Sequence, residues 1–221
     1  MKKCLIVIGC GSQGRMVKNT IHNYNVGYSF GGFLDDKFHE VKEYDNYFQA
    51  PINIYEELLK DKNNFFFVAI GNPQSRADVV QNKLSKIPDN RFATLIHPLA
   101  YVDPTAKLGY GLYISANTTL MHQVEVGNHT IINSSSIIEY ETKVGEFVTI
   151  APNVTICGAV VIENEVFIGA GSVVTQYLVI KDNSLVGANS TVIKNVEKNT
   201  VIVGVSKMLK KTNKDNGSFS K

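Results

Sequence analysis

The sequence predicts an α/β unit at the N-terminus, followed by a parallel β-helix over most of the remaining chain. The main observation is an aliphatic residue at every sixth position, which neither a helical period of 3.6 nor a strand period of 2 explains. A parallel β-helix explains this spacing, because each side of a coil uses six residues and turns the first side chain inward. The sixteen residues of the series are Val102, Leu108, Ile114, Leu120, Val126, Ile132, Ile138, Val144, Ile150, Ile156, Ile162, Ile168, Val174, Ile180, Val186 and Val192.

A second inward position, four residues after each aliphatic one, supports this prediction. From Thr118 to Ser172 it is occupied by small or β-branched residues, as in a short strand with one face in the core. Three sides to a coil give roughly five coils, a prism about 25 Å long at ~4.8 Å per strand. Where glycine follows the aliphatic residue, we expect a tight corner that requires a residue without Cβ. These glycines are Gly109, Gly127, Gly145, Gly169 and Gly187.

The second observation is in the first 36 residues, where the secondary-structure elements follow the order found in nucleotide-binding units. A strand over residues 4–8 leads into the glycine turn of residues 9–14 and a helix over residues 15–24; a second strand over residues 28–34 ends at two acids. The glycines allow a tight turn, the helix N-terminus offers N–H groups to an anion, and the acids can accept from a ribose or base. The alternative is a Rossmann-like half used only as scaffold.

The elements that follow complete only one half of a dinucleotide fold. They are a short helix over residues 53–60, a strand over 65–70, a helix over 73–86 and a strand over 92–96. A full dinucleotide fold needs two such halves and about six strands. The length of the segment before the repeat therefore favours a mononucleotide as the ligand and argues against an NAD-dependent dehydrogenase.

The expected domains follow from this order. Residues 1–97 form the Rossmann-like domain, residues 98–205 the β-helix and residues 206–221 a basic tail without periodicity. His97, beside a proline at the hinge, is expected to be a packed linker residue, and His129 a surface residue.

Composition narrows the function classes. A net charge of +2 is too small to indicate a nucleic-acid or membrane partner. Three cysteines without metal or disulfide spacing favour a reducing cytoplasm, and no metal is expected. The short apolar run after Lys3 does not read as a signal peptide, and no stretch approaches a membrane span.

With these motifs, the chain resembles the hexapeptide-repeat sugar O/N-acetyltransferases of the sialic-acid and bacillosamine type, over about residues 3–206. The resemblance implies a left-handed β-helix, a homotrimer, acetyl-CoA as co-substrate and a nucleotide-linked sugar held by the first domain. Carried over by position, the sugar-nucleotide contacts are Gly11, Ser12, Gln13, Asp35, Asp36, Gly71 and Asn72.

The sequence departs from the family where the catalytic base is expected. The family places a His after an aliphatic-acidic pair, and this chain has Tyr140 there, with the acidic neighbour Glu141 retained. Gln13 and Thr149 stand at two further family histidines, whereas Asn133 is retained. Tyr140, with an ordinary pKa near ~10, is a poor base but can position the acceptor.

Three alternatives remain open from the residues. An amino-sugar amine can react without a His base, which favours N-acetylation over sialic-acid-type O-acetylation. Alternatively His122, 18 residues and one coil before Tyr140, lies about 5 Å away and serves instead, unless it is a solvated corner residue. The third alternative is a non-catalytic nucleotide-sugar-binding protein.

The resemblance also implies a CoA groove between two β-helices of the trimer. Lys181, Lys194 and Lys207 are candidates for its phosphates, although the family's closing Asn-Pro-Ala-Lys is replaced by residues 205–208. Small residues along the later coils would let a pantetheine arm lie near the backbone; they are Ala151, Gly158, Gly169, Ala170, Gly171, Gly187 and Ala188. We therefore expect an acetyl-CoA-dependent N-acetyltransferase acting on a nucleotide-linked amino sugar.

Overall fold

A computed structural model describes residues 3–204 and divides them into an α/β layer and a three-sided prism. The elements of the α/β part are β1 Lys3–Ile8, α1 Ser12–Asn23, β2 Tyr28–Leu34, β3 Lys42–Tyr44, β4 Tyr47–Ala50, α2 Tyr55–Leu59, β5 Asn64–Val68 and α3 Pro73–Asp78. The five strands form one sheet in the order β3-β4-β2-β1-β5, parallel except for β3. Short 3-10 turns occupy Ile52–Ile54 and Asp89–Arg91, and a π-helical turn, Val79–Lys83, continues α3.

Three differences from the expected elements concern this part. The hairpin of β3 and β4 was not predicted, because its strands are short and polar at one edge. The expected helix over residues 73–86 is α-helical only to Asp78. The expected strand over residues 92–96 is split, since Phe92 bridges Phe66 whereas Leu95–Ile96 joins the prism as its first strand, β6.

The prism has three parallel sheets, which we call faces 1, 2 and 3. Face 1 contains β7 Tyr101–Val102, β10 Thr119–Leu120, β13 Ile137–Ile138, β16 Thr155–Ile156, β19 Val173–Val174 and β22 Thr191–Val192. Face 2 contains β8 Lys107–Leu108, β11 Glu125–Val126, β14 Lys143–Val144, β17 Val161–Ile162 and β20 Val179–Ile180. Face 3 contains β6, β9 Tyr113–Ile114, β12 Ile131–Ile132, β15 Thr149–Ile150, β18 Phe167–Ile168, β21 Leu185–Val186 and β23 Val201–Ile202.

The prism core confirms the six-residue period. Each aliphatic residue of the series is the second residue of a two-residue strand, and those from Ile114 to Val192 are buried. The second inward position is fully buried from Thr118 to Ser172. Strands pair with partners 18 residues away, as Leu120 does with Ile138, so one coil is three hexads.

The corners correct the expected role of the glycines. Left-handed backbone, with φ from 53° to 70°, occurs three residues after the aliphatic residue and mostly at non-glycine residues. The glycines one residue after it have no positive φ; instead a Cβ on Gly127 would lie 2.6 Å from the Gly145 carbonyl carbon. These positions therefore favour glycine because successive coils approach closely, not because the chain turns there.

We name the three corners by a residue in each. The Tyr140 corner joins face 1 to face 2 and contains residues 103–106, 121–124, 139–142, 157–160, 175–178 and 193–195. The His129 corner joins face 2 to face 3 and contains residues 109–112, 127–130, 145–148, 163–166 and 181–184. The Asn133 corner joins face 3 to face 1 and contains residues 97–100, 115–118, 133–136, 151–154, 169–172 and 187–190.

The α/β part covers the half of face 3 that belongs to the N-terminal coils, which we call the lower half. Tyr113 and Ile131 point outward from that face, yet they are buried in the same apolar cluster as Leu5 and Val7 of β1. The Tyr113 hydroxyl lies 2.9 Å from Thr20 Oγ1 of α1. His97 is buried and its ring packs edge-on against Tyr24, as expected for a linker residue.

Arg76 of α3 fastens the two parts together. It is 1% exposed, and its guanidinium donates to the carbonyls of His129 (2.7 Å) and Phe147 (2.9 Å) and to Thr149 Oγ1 (2.9 Å). It also donates to the Ile70 carbonyl. Burial lowers the pKa of Arg76 to about 9. All these acceptors are neutral, so the hydrogen bonds to them compensate the guanidinium for the hydration that it loses on burial.

The expectation that His129 lies at the surface is wrong. Its ring is 3% exposed, stacks on Phe147 at 5.1 Å between centroids and contacts Phe92 and Tyr110 edge-on. The hexad position does point outward, but the α/β part covers this corner. Burial, with a smaller contribution from Arg76, lowers the pKa of His129 from 6.5 to about 4.

Candidate functional site

A cavity of about 510 Å³ lies at the carboxyl ends of β1, β2 and β5. The glycine loop, the first turn of α1 and the loop after β5 form its walls. Six of the seven residues expected to contact a sugar nucleotide line it together: Gly11, Ser12, Gln13, Asp35, Asp36 and Gly71. Apolar side chains of Ile8, Ile52, Ile70 and Val79 complete the lining. Its size falls within the range of small-molecule pockets.

The glycine loop is shaped by two close approaches. Gly9 adopts a φ of +97°, which L side chains rarely reach, and an added Cβ would lie 3.1 Å from the Ala69 carbonyl oxygen. A Cβ on Gly14 would collide with the Gly9 carbonyl oxygen and press on Phe33. Helix α1 therefore packs directly against the loop, and it begins at Ser12, within the expected glycine turn, and not at residue 15.

The N-terminus of α1 suits an anion. The residue preceding the helix, Gly11, provides no side-chain cap, and the first turn contains no acidic residue. Its first N–H groups therefore remain for a ligand, with the positive end of the helix dipole behind them. Gln13 adds a further donor, because its Nε2 is buried without a hydrogen-bond partner among residues 3–204.

The two acids after β2 already have protein partners. One Asp35 oxygen accepts from the Cys10 N–H at 2.7 Å and the other from the Lys37 N–H at 3.1 Å. Asp36 forms an exposed ion pair with Lys83 at 2.6 Å. Asp35 thus holds the glycine loop in place and also lines the cavity.

Asn72, the seventh residue expected to contact the sugar nucleotide, lies outside the cavity wall. Its side chain accepts from the Ser75 N–H at 2.8 Å and caps α3, and it is not part of the cavity wall. The neighbouring Gly71 carbonyl accepts from Thr149 Oγ1 at 2.8 Å. The cavity loop is therefore tied to face 3 through Thr149 and Arg76, a link that no sequence spacing signalled.

Tyr140 lies exposed at the Tyr140 corner with its ring across Gly158 of the next coil. A Cβ on Gly158 would collide with that ring, so this glycine makes room for Tyr140. The charge and hydrogen bond of Tyr177, one coil further, raise the pKa of Tyr140 above 10. Its neighbour Glu141 has left-handed backbone, and its N–H donates to the His122 carbonyl at 2.9 Å. His122 is thus one coil below Tyr140, as the 18-residue spacing predicts.

Asn133 lies at the other edge of face 1. Its Nδ2 donates to the Ile150 carbonyl at 3.0 Å. It is stacked in register below Ala151, Gly169 and Gly187, and Ala170 and Ala188 follow in the same Asn133 corner. The residues expected to contact CoA therefore divide between two corners, because Gly158 and Lys194 belong to the Tyr140 corner.

The candidate lysines differ in their surroundings. Lys181 pairs with Glu197 at 2.6 Å, whereas Lys194 is exposed at the top of the Tyr140 corner. Lys207, the replaced closing motif and the basic tail lie outside the described residues. Within residues 3–204 no group of three or more His, Cys, Asp or Glu is arranged to hold a metal ion. No helix in that range has the length and hydropathy needed to cross a membrane.

Two family models match the chain. The PglD N-terminal domain matches residues 4–83, and the bacterial transferase hexapeptide (six repeats) matches residues 141–176. A UDP-N-acetylbacillosamine N-acetyltransferase from Bacillus subtilis is 30% identical over 115 residues, 52% of each chain. The match thus spans about half the length of that curated relative.

Solved structures share the fold over most of the chain. A perosamine N-acetyltransferase from Caulobacter crescentus, in complex with CoA and GDP-perosamine, has a TM-score of 0.79 at 20% identity, covering 90% of this chain and 93% of that one. The acetyltransferase domain of PglB from Neisseria gonorrhoeae, in complex with acetyl coenzyme A, has a TM-score of 0.77 at 22% identity, covering 90% and 96%. A Rossmann-like half followed by a left-handed β-helix is therefore the fold of this protein, with a first part similar to the PglD N-terminal domain and a second part similar to the bacterial hexapeptide transferases.

Proposed function

We propose that the protein is an acetyl-CoA-dependent N-acetyltransferase acting on the amino group of a nucleotide-linked amino sugar. The observation that carries the proposal is the cavity at the glycine loop, joined to a hexapeptide prism in one chain. The Bacillus subtilis relative and the Caulobacter crescentus structure carry N-acetyltransferase names. Both proposed substrates, acetyl-CoA and a nucleotide sugar, are metabolites of the cytoplasm, where we expect the protein.

The nucleotide would bind in the cavity with its phosphates at the start of α1. The first N–H groups of α1, and Gln13 Nε2, which has no partner within residues 3–204, are donors for phosphate oxygens. The apolar wall of Ile8, Ile52, Ile70 and Val79 fits the face of a base or sugar. Asp35 and Asp36 at the rim are acceptors for a base N–H or a ribose hydroxyl.

The position of the cavity favours a site completed by a second copy of the chain. The α/β part covers part of face 3, whereas Tyr140 lies at the corner between faces 1 and 2, on the opposite side of the prism. A sugar held in the cavity therefore points away from its own Tyr140 corner. In a homotrimer the sugar of one copy would reach the Tyr140 corner of its neighbour.

Face 1 has the composition of a contact surface between copies. Its six outward residues are uncharged and include Tyr101, 52% exposed, and Ile137, 37% exposed. Face 2 instead presents a charged ladder in which Lys107 pairs with Glu125 at 3.0 Å and Lys143 follows. Because interface centres are depleted in charge, face 1 is the better candidate for the trimer contact.

Acetyl-CoA would lie along the groove that two prisms form beside face 1. Small residues at both edges of that face leave the backbone open to a pantetheine arm: Gly158 at the Tyr140 corner, and Ala151, Gly169, Ala170, Gly187 and Ala188 at the Asn133 corner. Lys194, exposed at the top of the Tyr140 corner, would meet a phosphate.

The chemistry fits an amine better than a hydroxyl. A neutral amine attacks the thioester carbonyl carbon, the C–N bond forms, and the carbonyl pair moves to oxygen before the C–S bond breaks. Tyr140, with its raised pKa, is a poor proton acceptor. A sugar hydroxyl would need a strong base before attack, whereas an amine loses its proton after the C–N bond has formed.

The test mixes the purified full-length protein with acetyl-CoA and a panel of UDP-, GDP- and dTDP-linked 3- or 4-amino sugars, and measures release of free thiol. We expect turnover with an amino sugar and none with the matching hydroxy sugar. Turnover only with hydroxyl acceptors would favour a sialic-acid-type O-acetyltransferase. Nucleotide-sugar binding without CoA binding, measured by calorimetry, would favour a non-catalytic binding protein.

A charge variant tests the cavity itself. Ser12→Glu puts a carboxylate at the start of α1, where the helix dipole tolerates it but a phosphate does not. Ser85→Glu makes the same change on an exposed turn and is the matched control. We expect KM for the nucleotide sugar to rise about tenfold or more in the first variant only, a difference of about 1.4 kcal/mol. Equal KM values in both variants would place the nucleotide elsewhere.

A further inference from the structure

Three polar side chains form a connected array at the Tyr140 corner, in the two coils below Tyr140. The Thr105 hydroxyl donates to Asp103 Oδ1 at 2.5 Å. Thr105 Oγ1 also lies 3.0 Å from His122 Nδ1, whereas Asp103 Oδ1 is 4.0 Å from that nitrogen. Asp103, Thr105 and His122 thus form a line in which threonine connects the carboxylate to the imidazole.

The array fixes which nitrogen of His122 carries the proton. The hydroxyl of Thr105 has one proton, and an ionised carboxylate accepts but cannot donate. Hydrogen bonds from the Thr105 hydroxyl and N–H, and the nearby His122, lower the pKa of Asp103, so it is ionised at neutral pH. The Thr105 proton is therefore committed to Asp103, and His122 Nδ1 must donate to Thr105 Oγ1. The free lone pair of His122 is then on Nε2.

We infer that His122, held in this tautomer by Thr105 and Asp103, accepts the proton of the substrate amine. The inference rests on the proposed function. His122 is exposed at the same corner as Tyr140 and in register with it, so Nε2 is accessible to a ligand bound there. Tyr140 is engaged with Tyr177 and its raised pKa makes its phenolate scarce, so it acts as a positioning residue.

The proton transfer completes a balanced reaction. The amine nitrogen forms a bond to the thioester carbonyl carbon, and the π pair moves to oxygen. The ammonium proton of that adduct passes to His122 Nε2, giving an imidazolium. As the carbonyl re-forms, the C–S bond breaks and its pair leaves on sulfur. His122 then gives the proton to the thiolate, so the amide, the free thiol and neutral His122 are the products.

The array is specific to this coil. The equivalent positions one coil further are Met121, Gln123 and Tyr140, which offer no carboxylate, hydroxyl or imidazole in that order. Thr105 also accepts from the Gln123 N–H at 2.8 Å, and Asp103 from the Thr105 N–H at 2.8 Å, which supports the local turn. A turn alone would not require the imidazole, so variants that keep the turn separate the two roles.

The first measurement is independent of activity. Two-dimensional NMR of the full-length protein with ¹⁵N-labelled histidine reports which ring nitrogen of His122 is protonated, with His122→Asn assigning the signal. We expect the proton on Nδ1 in the wild-type protein, and a shift towards Nε2 in Thr105→Val. A wild-type proton on Nε2 would overturn the inference, whether or not the protein turns over any substrate.

The second measurement uses the thiol-release assay with the best amino sugar. We expect His122→Asn to lower kcat by about 10²–10⁴-fold, the usual contribution of a general base, with KM little changed. Thr105→Val should lower kcat by about tenfold, the equivalent of one hydrogen bond, and Thr105→Ser should recover most of that loss. Circular dichroism verifies that each variant is folded. A kcat within tenfold of wild type in His122→Asn would overturn the inference while leaving the acetyltransferase intact.

Discussion

The buried His129 makes the free energy of unfolding depend on pH, and the pKa of His129 sets the magnitude of that dependence. Its pKa is 6.5 when exposed and about 4 in the folded protein, so the unfolded chain binds the proton more tightly. A depressed pKa on a base means that full stability is present above about pH 6.5 and is lost as the pH falls towards about 4. The full difference is about 3 kcal/mol, and about 2 kcal/mol of it is lost by about pH 5.

The matched variant is His129→Phe. One coil further at the same corner, Phe147 stands with a φ of 55° and stacks on His129, so this corner accepts phenylalanine at that backbone angle. The variant keeps the aromatic stack and removes the titrating group. His97, whose burial also lowers its pKa, contributes to both proteins and cancels in the difference.

Urea unfolding at about pH 7.5 and about pH 5, at one protein concentration, measures the effect. We expect wild type to lose about 2 kcal/mol more than His129→Phe between these pH values. A fixed concentration is needed because subunit association also changes apparent stability. Parallel losses in the two proteins would refute the assignment of His129 as a buried neutral imidazole.

Two further variants test the glycine loop and the link between the two parts. Gly14→Ala forces a Cβ into the Gly9 carbonyl, so we expect the free energy of unfolding in urea to fall by about 1–3 kcal/mol. In the control Gly71→Ala the Cβ meets no atom, and the free energy of unfolding should stay within about 0.5 kcal/mol of wild type. Similar stabilities of the two variants would contradict the close approach at Gly14. Arg76→Met leaves three carbonyls without their donor, at about 1 kcal/mol each, so we expect a loss of about 3 kcal/mol in the same experiment. An unchanged midpoint in Arg76→Met would mean that water or other groups replace the guanidinium.

The sequence predicts the inside of the prism well because the core repeats along the chain. Each aliphatic residue from Ile114 onward is buried, since three hexads close one coil and the same side chain returns to the axis. The outside of the prism does not repeat in this way. Whether an outward residue is buried depends on what covers it, which is why the sequence predicts neither the burial of His129 nor that of Ile131.

The α/β part could be predicted only to the extent that local patterns determine it. Strand β2 and the start of α3 were found at the expected residues, because a strand ending in acids and a proline at a helix start are local signals. Leu95–Ile96 was assigned to the wrong sheet, since both sheets have an edge within reach and only tertiary packing selects one. The glycine loop positions were brought together at one cavity, whereas Asn72 was taken up by a helix cap.

The array around His122 shows a different limit. The 18-residue spacing puts His122 in register with Tyr140, but nothing in that spacing points to Thr105 or Asp103. Their side chains reach His122 only because the corner turn at residues 103–106 directs them along the coil axis. Side-chain direction within a turn is a property of the folded corner and has no sequence period.

The hydrogen bonds of Arg76 and Thr149 join the α/β part to the prism, and they limit how the two parts can be exchanged between related chains. The loop that shapes the cavity is held partly by carbonyl and hydroxyl groups contributed by the prism, so the two halves are not independent modules. A chimera that pairs this front end with a foreign β-helix would keep its pocket only if the new partner supplied acceptors at the places of His129, Phe147 and Thr149. Gene fusion between relatives should therefore succeed more often when the exchanged segment ends beyond residue 149 than when it ends at the hinge.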